Sequence, residues 1–515
     1  MTERLGKFDD FSKVEAVRGY LNLYFSTPDF TQRVLDEVLD KGDDFGKAPS
    51  KNERVMVEFS QPNTHKAFHV GHLRNVILGS AVCNILDWAG YDVIRTNYIG
   101  DIGLHVIKWL WNYLENHTGE IPGDEKIKWM GDIYAEAAKA FEDPSVESEV
   151  RALFARWQNG DPEITQLWDQ TRQWSMDAFD QVYDLLGVQF DKYYYESEVE
   201  QTGIALVNQL IADGIARDER PDDSVIIPLD ELLGLENEYK VMVILRSDGT
   251  SLYATKDLSL AIKKFEDYEL TKSVYVIDVR QSFYLKQIFK TLEIIGYKEY
   301  ADKCYHLAYE IVNLPGNVTM SSREGTVVLL EDLINEASER ALEIVSAKNP
   351  ELEDEQKGKI ALAVALGAIK YSMLSKDNTK VVTFDWERAM DFNGQAAPYI
   401  QYAYVRAGSI LKKADGEVPG SLRPAGNLHP AEVQLIELMT RLPMTIQRAA
   451  EEYRPLLIAS LAYDLARAFN EFYNQCPVLK AEASERELRL RLVAAARQTI
   501  ANCLALLGII APDAM

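Results

Sequence analysis

Cysteine is nearly missing from this chain: Cys83, Cys304, Cys476 and Cys503 are the only four among 515 residues, and no two form a CxxC pair. That excludes a disulfide framework and a cysteine zinc site, and makes a reducing cytoplasm the expected compartment. Long apolar runs are missing too. The longest clean one, IALAVALGAI at Ile360–Ile369, is far short of a bilayer span. The opening MTERLGKFDD has no apolar stretch of the kind a secretory signal or anchor needs, so no membrane association is expected. Positive charge is scarce, with 55 Lys and Arg against 80 Asp and Glu and a net charge of −25. At first sight this argues against a nucleic-acid partner, because phosphates are neutralised by Lys and Arg. The deficit is uneven, however: residues 346–515 carry 20 charges of each sign, so a local basic face remains open to that region. Histidine is rare as well, seven in all, yet His65, His69 and His72 fall within eight residues.

What is present describes a folded chain of two to four domains, with 47% hydrophobic and 10% aromatic residues. VMVEFS (Val55–Ser60) is a short apolar strand ending in polar and proline punctuation. Apolar residues then recur at helical spacing from Leu73 to Trp88, with Gly90 as the stop, and DVIRTNYIG (Asp92–Gly100) is a second strand. Strand, helix and strand in that order predict a βαβ unit and a parallel sheet that binds ligands at its strands' carboxyl ends. Residues 118–235 are acidic, Trp-rich and helical in pattern, and are expected to be an insertion without strands. The α/β pattern resumes at KVMVILRSDGTSLYATKD (Lys240–Asp257), with a hairpin turn at Asp248-Gly249. SVYVIDV (Ser273–Val279) is a buried strand, Phe283–Gly296 a glycine-closed helix and GTVVLL (Gly325–Leu330) a further strand. Beyond about residue 331 the period is helical.

His69-Val70-Gly71-His72 lies where a strand hands over to a helix N-terminus, a place that favours phosphate. Two imidazoles there can donate to charge growing on a phosphate, and Gly71 admits a close approach. The same four residues also read as surface histidines beside a turn, or as two metal ligands. Lys66 is near enough to reach the same phosphates, or is an ordinary solvated lysine. TMSSREG (Thr319–Gly325) is a hydroxyl-rich turn with one cation, Arg323, of a composition that can close over a triphosphate or lie in solvent. Glu58, Tyr253 and Asp257 supply the carboxylates and phenol expected of a pocket for a cationic side chain. Read singly, Glu58 and Asp257 are also a strand-end charge and a helix cap. Gln281 fits either a loop or a pocket.

Together these segments resemble the class I aminoacyl-tRNA synthetases, and within them the arginyl-tRNA synthetases. The resemblance rests on FSQPNTHKAFHVGHLR, NYIGDIGLH, LYATKDLSLA, VIDVRQS and MSSREGTVVLLEDL, and continues into YSMLSKDNTKVVTFDWERAMDFNGQAAPYIQYAYVR and the closing LLGIIAPDAM. It covers roughly residues 15–515, with the motifs in the family's order. It implies an α/β fold: a Rossmann-like class I synthetase catalytic domain with a helical insertion, plus an all-α C-terminal anticodon-binding bundle. The implied divisions are 51–117 and 236–345 for the two catalytic halves, 118–235 for the insertion and 346–515 for the bundle.

The implied chemistry has two steps: arginine and ATP give arginyl-adenylate and pyrophosphate, and the arginyl group then moves to the end of tRNA(Arg), with Mg²⁺ accompanying ATP. By the family's pattern His69, Gly71 and His72 hold ATP, with both histidines steadying the α-phosphate, and Met320, Ser321 and Arg323 belong to the signature loop. Glu58, Ser60, Asn63, His69, Tyr253, Asp257 and Gln281 match arginine-binding positions. Tyr253 and Asp257 are expected to read the guanidinium, Asn63, Ser60 and Gln281 the α-amino end, and Glu58 either. Tyr399, Gln401, Tyr402, Arg406 and Met515 fall where relatives meet tRNA, although helix core packing is the competing reading for the aromatic ones. A monomer without a protein metal site is expected.

Two departures stand out. The signature loop, KMSKS in its general form, has lost its lysines here; Lys66 fills the position thought to compensate, while His65 is expected to be incidental. Only about 50 residues precede the first strand, so 1–50 is expected to be a remnant of the family's tRNA-elbow domain, with GYLNLYFS (Gly19–Ser26) as its last piece. These departures leave room for a catalytically silent paralogue that binds tRNA or arginine. Another HxGH adenylyl transferase acting on a small acid is a third reading, one that would have no use for the helical C-terminus.

Overall fold

The computed structural model describes residues 11–68, 70–123, 125–314, 318–319 and 330–515. Its centre is a five-stranded, wholly parallel sheet: β1 (Arg54–Glu58), β2 (Asp92–Ile99), β3 (Lys192–Tyr195), β4 (Lys272–Asp278) and β5 (Cys304–Tyr309). The spatial order is β5-β4-β1-β2-β3, so the direction of winding reverses between β1 and β4. In such sheets the crevice for ligands opens at that reversal, beyond the strands' carboxyl ends. Val55, Met56 and Val57 on β1 and Val274, Tyr275 and Val276 on β4 are all buried, as strands covered on both faces require.

The first crossover is helix α1 (Val70–Trp88). Its buried residues run all round it, including Arg74 and Asn75, because the sheet lies on one side and C-terminal helices on the other. Gly79 permits this depth: a Cβ there would come 2.3 Å from the Phe59 ring.

Between β2 and β3 lies the expected helical insertion, closed by α2 (Pro162–Leu186). Asp161 caps α2 by accepting from the backbone of Glu163 and Ile164, and Gly187 ends it with a left-handed φ of 64°. Trp109 stacks on Tyr113 at 5.3 Å, with Trp129 edge-on at 5.8 Å, so the tryptophans form the insertion's own core. The expectation that residues 118–235 lack strands is corrected. β3 pairs in parallel with Thr96–Ile99 as the sheet's edge, and Arg217–Asp218 and Val225–Pro228 join Val241–Leu245 in a small antiparallel sheet. A four-residue aromatic edge strand shows no alternation to read; its partner strand, not its own pattern, selects it.

Helix α3 (Glu196–Ala212) follows β3 directly, and helix α4 (Tyr253–Asp267) leads into β4. GTVVLL lies almost wholly outside the described residues; Leu330 already opens a helix. Val382–Thr383 pairs in parallel with Val312–Asn313, and past it the regular structure is all helical, including α5 (Ala397–Lys413) and Ala483–Leu506. It is tied to the insertion by Lys370, whose ammonium donates to the Leu186 carbonyl at 2.7 Å and the Gly508 carbonyl at 2.5 Å. Phe11–Val17 and Tyr20–Phe25 pair as a separate antiparallel hairpin.

Candidate active site

Beyond Glu58, the chain leaves β1 through two successive non-glycine residues in left-handed conformation, Ser60 (φ 75°) and Gln61 (φ 50°). Such backbone persists only where its surroundings fix it. Here the Ser60 N–H donates to Asn75 Oδ1 at 2.6 Å, the Gln61 N–H to Asn97 Oδ1 at 3.0 Å, and the Ser60 hydroxyl lies 2.7 Å from Tyr183 OH. Asn97 donates to the same phenol at 2.9 Å. The turn delivers Gln61 and Asn63 to the crevice, where Asn63 bridges to Gly100 at the end of β2.

Two chambers meet there, sharing Gln61, Asn63, Ile277 and Gln281. The first encloses about 410 Å³ and is walled by Glu58, Glu196, Tyr253, Asp257, Tyr98 and Tyr284, among others. Tyr253 and Asp257 stand one turn apart at the start of α4, which puts them on one face. Asp257 accepts from Tyr284 OH at 2.5 Å, and burial, helped by the nearby Glu58, pushes its carboxyl up to about 6. Glu196 opens α3 and is paired with buried Lys256; burial still raises its carboxyl to about 7. Glu58 is paired with Lys264, whose side chain has no exposed surface and whose ammonium also lies 4.1 Å from the Tyr275 ring. With all groups ionised, three carboxylates and two lysines leave this chamber one negative charge, which a single cation would match.

The second chamber, about 460 Å³, is lined by Gly71 and His72 on the first turn of α1, and by Arg74, Asp278 and Arg280. A helix N-terminus and the exposed Arg280 favour phosphate there. Arg74 is engaged in structure: its guanidinium donates to the carbonyls of Glu310, Ile311 and Lys380. Arg280 is solvent-facing and grips Asp278 through two hydrogen bonds of 2.8 and 2.9 Å. A larger cavity of about 860 Å³ opens at Asn52, Arg54, Asp92 and Thr271, at the strands' amino ends, the wrong end of a parallel sheet for catalysis.

The structure thus brings Glu58, Ser60, Asn63, Gly71, His72, Tyr253, Asp257 and Gln281 to one crevice. His69, Met320, Ser321 and Arg323 lie outside the described residues. Lys66 lines neither chamber; its ammonium sits 5.3 Å from the Tyr134 ring, and burial lowers its pKa. His65 is fully buried, 2.9 Å from Thr64 Oγ1 and 2.8 Å from Thr171 Oγ1, and so belongs to the packing between the turn and α2. Gln401 is corrected as an RNA-facing residue: it has no exposed surface, and its amide donates to the carbonyls of Ala363 and Ile510. Met515 is likewise buried. Tyr399, Tyr402 and Arg406 are half-buried, with Arg406 4.7 Å from the Tyr402 ring and 5.2 Å from Tyr473.

Sequence reasoning missed Glu196, Tyr98, Tyr284, Lys256 and Lys264. Tyr98 and Lys256 sat inside quoted motifs, NYIGDIGLH and LYATKDLSLA, but no local pattern marks a lysine for burial.

The family model described as tRNA synthetases class I (R), catalytic domain, matches residues 34–386. One described as DALR anticodon binding domain matches residues 400–515. The chain is 37% identical over 509 residues to the arginine–tRNA ligase of Bdellovibrio bacteriovorus, covering 96% of this chain and 86% of that protein. It is 34% identical over 512 residues to that of Clostridium botulinum, covering 99% and 89%. The solved Thermus thermophilus arginyl-tRNA synthetase aligns with a TM-score of 0.83 and 29% identity over all of this chain and 90% of its own. The arginyl-tRNA synthetase of Plasmodium falciparum shares the fold, with a TM-score of 0.76 and 21% identity over 99% of this chain and 87% of its own.

Proposed function

Because the chain belongs to the class I arginyl-tRNA synthetases and is an arginine–tRNA ligase, we propose that the carboxylate-lined chamber takes the arginine side chain and the chamber at the start of α1 takes ATP. One observation carries this division of labour: the first chamber's uncompensated negative charge, centred on Asp257, adjoins a helix N-terminus across the shared Gln61, Asn63 and Gln281. Asp257 and Tyr253 read the guanidinium, with Glu196 beside them. Glu58, already matched by Lys264, holds Gln61 through a 2.9 Å hydrogen bond and so shapes the passage between the chambers. Asn63 and Gln281 take the α-amino end, and the Ser60 hydroxyl, engaged with Tyr183, acts through the turn it stabilises.

Activation joins the arginine carboxylate to the α-phosphorus and expels pyrophosphate. The histidines of the HxGH turn, His69 and His72, and the α1 amides donate to charge growing on the phosphate oxygens. The loop residues Met320, Ser321 and Arg323 close on the triphosphate, and Lys66 adds its charge by swinging off Tyr134. Mg²⁺ arrives on the triphosphate.

The second step uses tRNA, and the DALR match supports an anticodon contact by the C-terminal helices. Tyr399, Tyr402 and Arg406 are proposed for it, as aromatics able to stack on splayed bases. Residues 1–50 are read as an elbow-facing part, 51–117 and 236–345 as the catalytic halves, and 346–515 as the bundle. A monomeric cytoplasmic enzyme completes the reading; among the described residues no helix is long and apolar enough to cross a membrane. The silent paralogue is not favoured, since the relatives are ligases.

Arginine-dependent ATP–pyrophosphate exchange, with and without tRNA and with lysine as control, tests this. Exchange with arginine alone among the two amino acids supports it. Equal exchange with lysine, or none under any condition from folded protein, overturns it.

A further inference from the structure

Tyr98, on β2, lines the arginine chamber, and its hydroxyl is buried without a hydrogen-bond partner. A buried orphan hydroxyl is costly, and native structures rarely keep one without a use. Tyr183 on α2 and Tyr284, beside the same chamber, show the ordinary outcome: one bonds Ser60 and Asn97, the other Asp257. Tyr98 alone of these three is left open. The groups that act on it are Asp257, Glu196, Glu58 and Tyr284, the chamber's acidic end, and together with burial they hold the phenol protonated far above its ordinary range.

We propose that Tyr98 is a specificity-determining residue whose hydroxyl oxygen accepts a hydrogen bond from the arginine guanidinium. A guanidinium carries five N–H donors in a rigid fork and no acceptor. The carboxylates Asp257 and Glu196 can take two edges, but both also serve Tyr284 and Lys256. A neutral phenol oxygen adds an acceptor without adding charge, so the chamber keeps its single uncompensated negative charge. A lysine ammonium offers three donors from one point and cannot span the phenol and the carboxylates together, so the open hydroxyl penalises it. The inference rests on the assignment of this chamber to arginine and deepens it.

Equilibrium binding needs no turnover and is the test. Arginine and agmatine, which keeps the guanidinium and lacks the carboxylate, are titrated into the intact enzyme and Tyr98→Phe, with thermal midpoints read alongside. The expected result is roughly 10- to 100-fold weaker binding of both ligands. The thermal midpoint of the ligand-free variant should stay equal or rise, because an unsatisfied hydroxyl has been removed. Weakened binding with a lowered midpoint would mark the hydroxyl as structural and overturn the proposal. Unchanged binding, or an effect on arginine and none on agmatine, would also overturn it. An unmodified enzyme that binds neither ligand would bring down the chamber assignment itself, whereas the other failures leave that assignment standing.

Discussion

Lys264 is held against Glu58 with its side chain wholly out of solvent, so the floor of the arginine chamber is a buried ion pair. Removing one partner of such a pair strands the other's charge and costs about 3–5 kcal/mol, whereas replacing both with groups of similar shape is often close to neutral. Lys264→Met is therefore expected to lower stability by about 3–5 kcal/mol. Lys264→Met with Glu58→Gln should recover most of that. Urea denaturation of the two variants checks it. A single mutant as stable as the parent would show that the pair contributes nothing to the fold.

Asp257 and Glu196 sit at about 6 and about 7, each raised chiefly by burial. Both must be ionised to receive a guanidinium. With raised values the loss begins near neutrality: arginine recognition is full above about pH 8 and falls as pH drops through 7 and 6. The two carboxylates interact, so the steps belong to the pair and not to either residue. The kcat/KM for arginine in pyrophosphate exchange, which reports the free enzyme, is expected to fall on the acid side in two steps. A flat profile between pH 5.5 and 8 would remove Asp257 from the recognition role.

His65 is held far from its ordinary protonation: burial, assisted by Arg172, lowers its pKa from 6.5 to about 3. Between those values the unfolded chain takes a proton that the folded chain refuses. Stability is therefore full above pH 6.5 and is lost on acidification, at up to about 1.4 kcal/mol per pH unit from this group. His65→Gln, which keeps a polar side chain and cannot titrate, is expected to flatten the dependence over pH 6.5–4. Denaturant midpoints of parent and variant across that range measure the difference, and parallel curves would refute the assignment.

The first half of the sheet and its turn were readable because they are local: β1, HxGH and α1 follow one another, and the spacing of Tyr253 and Asp257 is a helical turn. What escaped was set by distant partners. Lys256 and Lys264 look like solvated helix lysines until Glu196 and Glu58, from other strands and helices, are placed against them. Lys192–Tyr195 becomes a strand only because the edge of β2 is free to receive it. Tyr98 lay in a quoted motif, yet an unpaired hydroxyl is a three-dimensional fact. Gln401 carries no mark of burial in the sequence because helical spacing in PYIQYAYVR gives two polar-aromatic faces, and only the packing of Gly367 and Ile510 decides which is inside. Lys66 lies beside Tyr134 and off both chamber walls, a placement set by the insertion's packing and not legible from its position before HxGH.

Helix α5 supplies a paired test of which of its faces is inside. Gln401 donates to Ala363 at 3.2 Å and Ile510 at 2.8 Å and fills the space beside Gly367, where a Cβ would meet its amide nitrogen at 2.8 Å. Gln401→Ala removes buried volume and the donor to the Ile510 carbonyl, and is expected to cost about 2–4 kcal/mol of stability. Its effect on tRNA affinity should be small in protein that remains folded. One residue on, Tyr402 lies beneath Arg406 and Lys348, each 4.7 Å from its ring, with Tyr473 exposed nearby. Tyr402→Ala is expected to change stability little and to weaken tRNA binding by roughly tenfold, as loss of one stacked base would. Filter binding with tRNA(Arg) and urea denaturation of both variants separate the two roles. If Gln401→Ala lost tRNA at unchanged stability while Tyr402→Ala did the reverse, the inner and outer faces of α5 would have to be exchanged.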